Sequence, residues 1–208
     1  MPALPSRPQL LAHFGERDPK IAEIIRQVGP FRLRRNRRYF QVLARAIVSQ
    51  QISTRAADTV FSRLVALLGT GRLTPELLAA QPEAHLRAAG LSRQKVGYLQ
   101  DLSRHFLEGR LRPRRFACLD NEEIIQQLVQ VRGIGRWTAE MFLIFSLNRL
   151  DVLPVDDLGL RAAVKSIYRM RRLPDARRLR LLGRRWHPFE TVATWYAWRT
   201  LNPEIVKY

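Results

Sequence analysis

The chain has 208 residues, 46% of them hydrophobic, so it can bury the core of one large domain or of two small lobes, and its formal net charge of +18 favours a polyanionic partner such as nucleic acid. Its single cysteine, Cys118, excludes an internal disulfide, a cysteine-ligated zinc ribbon and a cysteine-ligated iron–sulfur cluster. Because no apolar run reaches the length of a membrane span and no secretory signal layout opens the sequence, we expect a soluble, cytoplasmic protein with no membrane partner, associated with the nucleoid if its source is bacterial.

Helical periodicity dominates the chain from its first long segments onward. Amphipathic stretches cover residues 39–52 and 54–68. Thr74, which is followed by proline and glutamate, is typical of a helix N-cap, and Ser92 is placed to cap a helix that runs to about residue 107. No pair of alternating strands with a hairpin turn follows, so the pattern predicts an all-α fold.

A turn between two helical stretches comes next and is rich in glycine. Asp120 and Glu123 have the spacing of a capping box, at the start of a helix that reaches about residue 131. Gly133 and Gly135 then break the helix and free the backbone, and the helical pattern resumes at Arg136. The N-terminus of the second helix offers N–H groups and a positive dipole end, which suits a phosphate, although an ordinary helix corner would also use two glycines.

The positive charge is concentrated in three arginine-rich segments, which lie at 32–38, 110–115 and 169–185. The second of these falls within 108–119, the least helical part of the chain. Each segment alone is explained by a solvated face, but the net charge of the whole chain favours a polyanion.

Two adjacent acidic residues, Asp156 and Asp157, follow the second helix, and Asp157 lies twenty residues after Trp137. One interpretation is that the pair starts the next helix, since aspartate is a preferred N-cap. The other is that a DNA-binding hairpin is coupled to an acidic catalytic residue, which is the layout of a base-excising glycosylase. We expect residues 1–208 to form one domain of two lobes, a middle lobe of about 50–150 and a second of about 1–49 plus 151–208, with a ligand cleft between them.

Four segments, taken in order, resemble the helix-hairpin-helix, Gly/Pro-rich, aspartate DNA glycosylase superfamily, and within it the bacterial 3-methyladenine DNA glycosylase II branch. They are Ala-Ile-Val-Ser-Gln-Gln-Ile-Ser at 46–53, Gly-Ile-Gly-Arg-Trp-Thr-Ala at 133–139, Val-Leu-Pro-Val-Asp-Asp-Leu at 152–158, and 186–199. The resemblance implies an all-helical, two-lobed fold. With about 38 residues before Tyr39, we expect the compact form that has no N-terminal β domain.

The resemblance implies that Asp157 is the catalytic carboxylate and that Asp156 supports the helix start. Such a carboxylate faces an extruded nucleotide, where it stabilises an oxocarbenium-like sugar or activates water. Relatives that also cut the strand carry a lysine where this chain has Trp137, so we expect a monofunctional enzyme that leaves an abasic site.

The resemblance also assigns pocket, DNA and cation residues. Aromatic faces suit positively charged alkylated purines, and the expected pocket is Trp137, Trp198 and Met141, the last replacing an aromatic residue. Trp186 and Trp195 are interpreted as core residues. Main-chain carbonyls of the hairpin are expected to hold a monovalent cation, Na⁺ or K⁺, that bridges to a phosphate; these are Val129, Val131 and Gly133. The expected DNA contacts are Gly133, Gly135, Arg132 (in place of the usual proline), Arg136 and the wedge residue Gln51.

The predicted function is therefore base excision of alkylated purines such as 3-methyladenine and 7-methylguanine from double-stranded DNA, by a monomer that needs no catalytic cofactor and no iron–sulfur cluster. Three alternatives remain open at this point: a glycosylase for a deaminated or mismatched base, a non-catalytic helix-hairpin-helix DNA-binding module, and a helical RNA-binding protein. A pure binder has no need of Asp157 or of the C-terminal aromatics, and a neutral base would call for more polar groups in the pocket.

Overall fold

The structure, a computed structural model, describes residues 4–69 and 71–202. Over these ranges it contains α-helices, one short 3₁₀ helix at Pro113–Arg115 and no β-strand, which confirms the predicted all-α fold. In the described ranges, no helix has the length and apolar character that crossing a membrane requires. The α-helices are α1 (Arg7–Arg17), α2 (Pro19–Val28), α3 (Tyr39–Ser49), α4 (Thr54–Leu67), α5 (Pro75–Ala79), α6 (Glu83–Ala88), α7 (Arg93–Leu107), α8 (Asn121–Leu128), α9 (Arg136–Leu147), α10 (Leu158–Ile167), α11 (Ala176–Gly183) and α12 (Glu190–Leu201).

Local capping explains where several helices begin. Thr74 accepts a hydrogen bond from the third backbone N–H of α5, and Ser92 does the same for α7. Asp120 and Glu123 form both bonds of the predicted capping box at the start of α8, at 2.8 and 2.7 Å. Each of these bonds satisfies an N–H that the helix itself leaves without a partner, and each was readable from residue spacing.

The α3 boundary differs from the sequence prediction. The amphipathic pattern continues to residue 52, but α3 ends at Ser49, because Gln50 has an extended backbone with ψ of 133° and Gln51 a left-handed one with φ of 58°. A side chain with a Cβ seldom takes this conformation, and it stops the helix. The chain then turns sharply, and Ser53 caps α4.

The chain divides into two compact units. One is formed by residues up to Arg35 together with those from Leu143 onward. In it, α2 packs on α1 and α12, and α12 packs on α10. Its core is aliphatic and aromatic, and includes Leu10, Phe14, Ile21, Ile25, Val164, Trp186, Val192 and Tyr196.

A buried carboxylate joins the two chain segments of this unit. Asp18 caps α2 and accepts a hydrogen bond from the indole of Trp186 at 3.0 Å and another from the hydroxyl of Tyr168. Burial and the carboxylate of Asp18 raise the pKa of the Tyr168 hydroxyl, which therefore stays protonated and donating. Residues more than a hundred positions apart are thereby held together.

The other unit spans Asn36–Phe142. Helix α7 contacts α3, α5 and α6, and α3 also packs on α4. The apolar residues between them include Leu43, Ile47, Leu64, Leu78, Leu86, Leu99 and Leu102. This unit carries the glycine-rich turn and the loop that contains Gln51.

Candidate functional site

The glycine-rich turn joins α8 to α9, and α8–turn–α9 is called the hairpin below. Val131 and Ile134 are buried and anchor the turn from inside. The N–H of Val131 donates to Leu128 at 3.1 Å, and the N–H of Ile134 donates to the carbonyl of Val131 at 3.0 Å. These bonds fix the backbone between the two helices and leave Gly135 exposed at the entrance to α9.

The two glycines of the turn have different reasons to be glycine. Gly133 has φ of +86°, and a Cβ there would lie less than 3.0 Å from three atoms of the Tyr98 ring. Both the backbone conformation and the packing therefore require glycine at this position. Gly135 has no atom within 4 Å of the place where its Cβ would be. Packing within this chain therefore does not explain why this position is glycine. A glycine does allow a second molecule to come close to the backbone here.

Arg136 opens α9 and ties together the two helices of the hairpin. Its guanidinium donates to both carboxylate oxygens of Glu122, at 3.0 and 2.7 Å, and to Glu140 at 3.2 Å. Hydrogen bonds from Arg136 and Gln126 lower the pKa of Glu122 to about 2. Three of the five N–H donors of this guanidinium are therefore bonded to carboxylates of the hairpin.

The backbone of Arg132 is held in place, and its side chain is exposed to solvent. Its N–H donates to the buried carboxylate of Asp101 at 2.8 Å. Its guanidinium Nε lies 3.7 Å from the other oxygen of Asp101, and 64% of its side chain is exposed. Of the two arginines expected to contact DNA, Arg132 is the more exposed.

The loop with Gln51 is linked to the hairpin. Gln51 itself is exposed and left-handed, whereas the side-chain amide of Gln50 donates to the carbonyl of Gly133 at 2.7 Å. The ammonium group of Lys95 donates to the carbonyls of Val48 and Gln50, at 2.6 and 2.7 Å. The expected wedge residue therefore directly follows a residue, Gln50, whose carbonyl and side chain are both held.

The carbonyls expected to hold a monovalent cation are compatible with one. Those of Val131 and Gly133 each accept one hydrogen bond, from Ile134 and Gln50 respectively. A carbonyl oxygen has two lone pairs, so one bond leaves capacity for a cation, and oxygen donors suit hard ions. No cluster of histidine, cysteine or carboxylate side chains able to hold a metal occurs in 4–69 and 71–202.

Asp157 is the N-cap of α10. Its Oδ1 accepts the N–H of Leu160 at 2.6 Å and the indole N–H of Trp198 at 2.8 Å. The expectation that Asp156 supports the helix start is wrong: Asp156 is exposed, and Asp157 has the extended backbone and the bond to the third N–H that define the cap. Asp157 is therefore both the N-cap of α10 and the expected catalytic carboxylate.

The surroundings of Asp157 hold its carboxylate in one place. Trp198 is only 8% exposed, and its ring stacks on Phe145 with the planes 13° apart. A Cβ on Gly159 would lie 3.2 Å from Oδ1 of Asp157 and 3.5 Å from the Trp198 ring. The carboxylate is therefore oriented by an indole, a helix N-terminus and a glycine that leaves room for it.

The other expected pocket residues lie on α9, one turn apart. Trp137 is 42% exposed and Met141 is 2% exposed. Residues four apart share a face of a helix, so the exposed indole and the buried thioether lie along one side of α9. Trp186 and Trp195 are buried, which confirms their interpretation as core residues.

Sequence reasoning missed four residues that shape these sites: Gln50, Lys95, Phe145 and Gly159. Gln50 and Lys95 act on main-chain carbonyls, which leave no trace in a residue pattern. Phe145 reads as one more apolar position of α9. Gly159 had a usable signal, since glycine in the first turn of a helix costs stability and invites a packing explanation.

Comparisons with known proteins identify one family. Residues 44–188, more than half of the chain, match the family described as HhH-GPD superfamily base excision DNA repair protein. A Schizosaccharomyces pombe protein named DNA-3-methyladenine glycosylase 1 is 35% identical over 193 residues, which are 90% of this chain and 85% of that protein.

Two solved structures have the same fold. The DNA-3-methyladenine glycosidase of Bacillus halodurans superposes with a TM-score of 0.85 at 34% identity, covering 93% of this chain and 88% of that one. The 3-methyladenine DNA glycosylase of Schizosaccharomyces pombe, solved in complex with abasic DNA, gives a TM-score of 0.78 at 33% identity and covers 95% and 98%. The family match, the relative and both structures agree with the resemblance found in the sequence, and the chain belongs to the HhH-GPD superfamily of base excision DNA repair proteins.

Proposed function

We propose that the protein is a monofunctional DNA glycosylase that hydrolyses the N-glycosidic bond of alkylated purines in duplex DNA and leaves an abasic site. The observation that carries this proposal is the arrangement at Asp157, whose carboxylate is half-buried and oriented by Trp198 and by the start of α10. Relatives named for 3-methyladenine, and one solved with abasic DNA, support the choice of substrate and product.

In this proposal the hairpin holds the DNA backbone. The exposed Gly135 and the N-terminal turn of α9 offer N–H groups and a positive dipole end to a phosphate. The extended side chain of Arg132 adds a cation close to this turn. The net charge of +18 attracts the duplex as a whole and makes its affinity dependent on salt.

The damaged nucleotide must leave the stack before its sugar can be reached. Extrusion costs on the order of a few kcal/mol, and less at a damaged pair. Gln51 is our proposed wedge, because its side chain is exposed at a sharp turn and its strained backbone fixes the direction in which it points. Filling the gap with Gln51 would offset part of the lost stacking.

The chemical step uses the carboxylate of Asp157 as a fixed negative charge. The electron pair of the C1′–N bond leaves with the base, whose alkylation-derived positive charge it neutralises, and the sugar becomes oxocarbenium-like. Asp157 stabilises this cation, water adds to C1′, and the remaining proton passes to solvent. A charged base is a good leaving group, so a second acid is not needed. Trp137, Met141 and Trp198 are the proposed base pocket: the indole faces suit the positive charge of the base, and the buried Met141, one turn from Trp137 on α9, is proposed to shape the pocket.

Two further parts of the proposal concern the absence of strand cleavage and the binding of a cation. Trp137 cannot form a Schiff base, and the amine of Lys95 donates to two carbonyls, which supports hydrolysis without strand cleavage. The carbonyls of Val129, Val131 and Gly133 would hold a Na⁺ or K⁺ ion, which supplies positive charge for a bridge to a phosphate. At equal ionic strength, DNA affinity should then be lower in a bulky organic cation than in K⁺.

The test of the proposed function is Asp157→Asn. The asparagine oxygen can still accept the N–H groups of Leu160 and Trp198, so the fold and the cap are retained while the charge is removed. We expect the single-turnover rate of base release from methylated duplex DNA to fall by roughly 10²–10³-fold, as when a group that stabilises transition-state charge is lost. Affinity for a duplex with an abasic analogue should change little.

Full release activity in Asp157→Asn would remove Asp157 from the mechanism. The matched control is Asp156→Asn, an exposed neighbour with the same change of charge, which should release bases at the wild-type rate. Duplexes with hypoxanthine, uracil or a mismatched adenine test the alternative substrates. Borohydride added during the reaction should trap no covalent adduct, and a trapped adduct would contradict hydrolysis by water alone.

A further inference from the structure

One side of α7 contacts both elements that the proposed function assigns to DNA. Lys95, Tyr98 and Asp101 are spaced three residues apart, so each lies about one turn from the next and the three form a stripe along the helix. Each of them reaches a different backbone position in the loop after α3 or in the turn of the hairpin. Neither the family match nor the relatives' names assign a role to this helix.

The first contact is made by Lys95 at the end of α3. Its ammonium group donates to the carbonyls of Val48 and Gln50, two of the groups that a helix C-terminus leaves without partners. A cation at this position also meets the negative end of the helix dipole. Lys95 is half-buried, and burial lowers its pKa. Gln50, which Lys95 holds by its carbonyl, is followed directly by the proposed wedge residue Gln51.

The second contact is made by Tyr98 against the hairpin. Its ring packs so closely on Gly133 that no Cβ fits between them, and its hydroxyl accepts a hydrogen bond from Gln94 at 2.6 Å. The carbonyl of Gly133 in turn accepts the side-chain amide of Gln50 at 2.7 Å. The loop and the hairpin turn are thus bonded to one another and seated on the same helix.

The third contact is made by Asp101, which is buried and accepts the N–H of Arg132 at 2.8 Å. Burial tends to raise the pKa of Asp101, but the bond from Arg132 and the charges of Arg104, His105 and Arg132 outweigh it and lower that pKa. The carboxylate is therefore ionised and holds the backbone just before Gly133. A charged acceptor makes a stronger hydrogen bond than a neutral one.

We propose that α7 is a positioning helix, whose residues Lys95, Tyr98 and Asp101 hold the Gln51 loop and the hairpin turn at a fixed separation, so that the wedge enters the duplex while the turn holds the phosphate. This inference rests on the proposed function. Lys95 is a positioning residue that acts through Gln51, since it touches only main-chain carbonyls. Its removal should weaken wedge insertion without changing the chemistry at Asp157.

The first experiment is independent of activity. Lys95→Met keeps the length of the side chain and removes its donors and charge. Hydrogen exchange followed by mass spectrometry should show faster exchange at residues 50–53 in the variant, with an unchanged unfolding midpoint. Lys165→Met is the matched control, because Lys165 is exposed on α10 and the change in net charge is the same. If exchange at 50–53 is equal in the wild type and in Lys95→Met, the proposed hold on the loop is wrong.

The second experiment measures wedge insertion without catalysis. The probe is a duplex in which 2-aminopurine lies beside a tetrahydrofuran abasic analogue, because the fluorescence of 2-aminopurine rises when it loses stacking. We expect the equilibrium constant for the fluorescent state to fall about tenfold in Lys95→Met, which corresponds to about 1.4 kcal/mol. Lys95→Arg, which keeps a charged donor, should restore most of it, and Lys165→Met should behave as the wild type.

The third measurement separates positioning from general loss of stability. In a Gln51→Ala background the wedge is already absent, so adding Lys95→Met should cause little further loss. If the two losses are simply additive, or if Lys95→Arg fails to restore insertion in a folded protein, the inference is overturned. If the wild type releases no alkylated base, the proposed function fails, while exchange and wedge insertion still decide the role of α7.

Discussion

One carboxylate oxygen of Asp157 accepts two hydrogen bonds, and this has consequences for both the fold and the chemistry. The bond from Leu160 starts α10, and the bond from Trp198 ties α12 to that start. Each donor also fixes the position of the negative charge before any substrate binds. Charge that is held in place by the protein need not reorganise as a cation develops nearby, which is the main source of electrostatic catalysis. The structural role and the proposed catalytic role therefore support one another.

Gly159→Ala tests how narrow the tolerance at Asp157 is. The new Cβ would lie 3.2 Å from Oδ1 of Asp157, so the carboxylate must shift by a few tenths of an ångström. Because rates respond steeply to misplacement, we expect the single-turnover rate of base release to fall roughly tenfold, with abasic-DNA affinity unchanged. Gly15→Ala is the control, since a Cβ there has no atom within 4 Å. An unchanged rate in a folded Gly159→Ala protein would contradict the need for a fixed carboxylate.

At the scale of the element, the hairpin is held by local hydrogen bonds and by contacts between residues that are distant in the sequence. The capping box of α8 and the N–H bonds of the turn are local. The ion pair of Arg136 with Glu122 joins α9 to α8, and its pair with Glu140 lies within α9. The turn itself depends on packing from α7, and this explains why its two glycines are not equivalent.

Gly133→Ala and Gly135→Ala form a matched pair that separates folding from binding. At Gly133 the left-handed backbone and the Tyr98 ring both oppose a Cβ, so we expect the free energy of unfolding to fall by about 2–4 kcal/mol. At Gly135 a Cβ meets nothing within this chain, so stability should be unchanged while affinity for duplex DNA falls. Urea unfolding and fluorescence anisotropy measure the two quantities. Wild-type DNA binding by Gly135→Ala would contradict a close approach of phosphate at that backbone.

At the scale of the whole molecule, the N-terminal segment is integrated into its unit by a polar core. Asp18 connects the junction of α1 and α2 to Tyr168 and Trp186. Buried carboxylates are rare without such partners, because an isolated charge is costly to remove from water. Helix α2, which Asp18 caps, also packs on α1 and α12. The unit therefore depends on contacts between its two chain segments, one up to Arg35 and the other from Leu143 onward.

Asp18→Ala should destabilise this unit strongly. It removes the cap of α2 and leaves the buried indole of Trp186 and the half-buried hydroxyl of Tyr168 without this acceptor, so we expect the free energy of unfolding to fall by about 2–4 kcal/mol. Chemical denaturation followed by circular dichroism measures the change. Glu23→Ala on the same helix removes an exposed ion pair with Arg26 and should have no measurable effect. Equal stability of Asp18→Ala and the wild type would show that the network does not support the fold.

The amino-acid sequence by itself determined the helical class, the starts of α5, α7 and α8, and the family, because periodicity and capping act over three or four residues. Only the tertiary structure decided that Asp157 rather than Asp156 caps α10, that α3 stops before Gln51, and that Trp198 bonds to Asp157. It also placed Gln50 on Gly133, across 83 residues of sequence. The bonds of Trp198 and Gln50 depend on which distant segments the core brings together, and a main-chain carbonyl that accepts a lysine or a glutamine leaves no mark in the residue pattern. The cap of α10 and the end of α3 are local, but two adjacent aspartates and an unbroken amphipathic pattern do not distinguish one residue from the next.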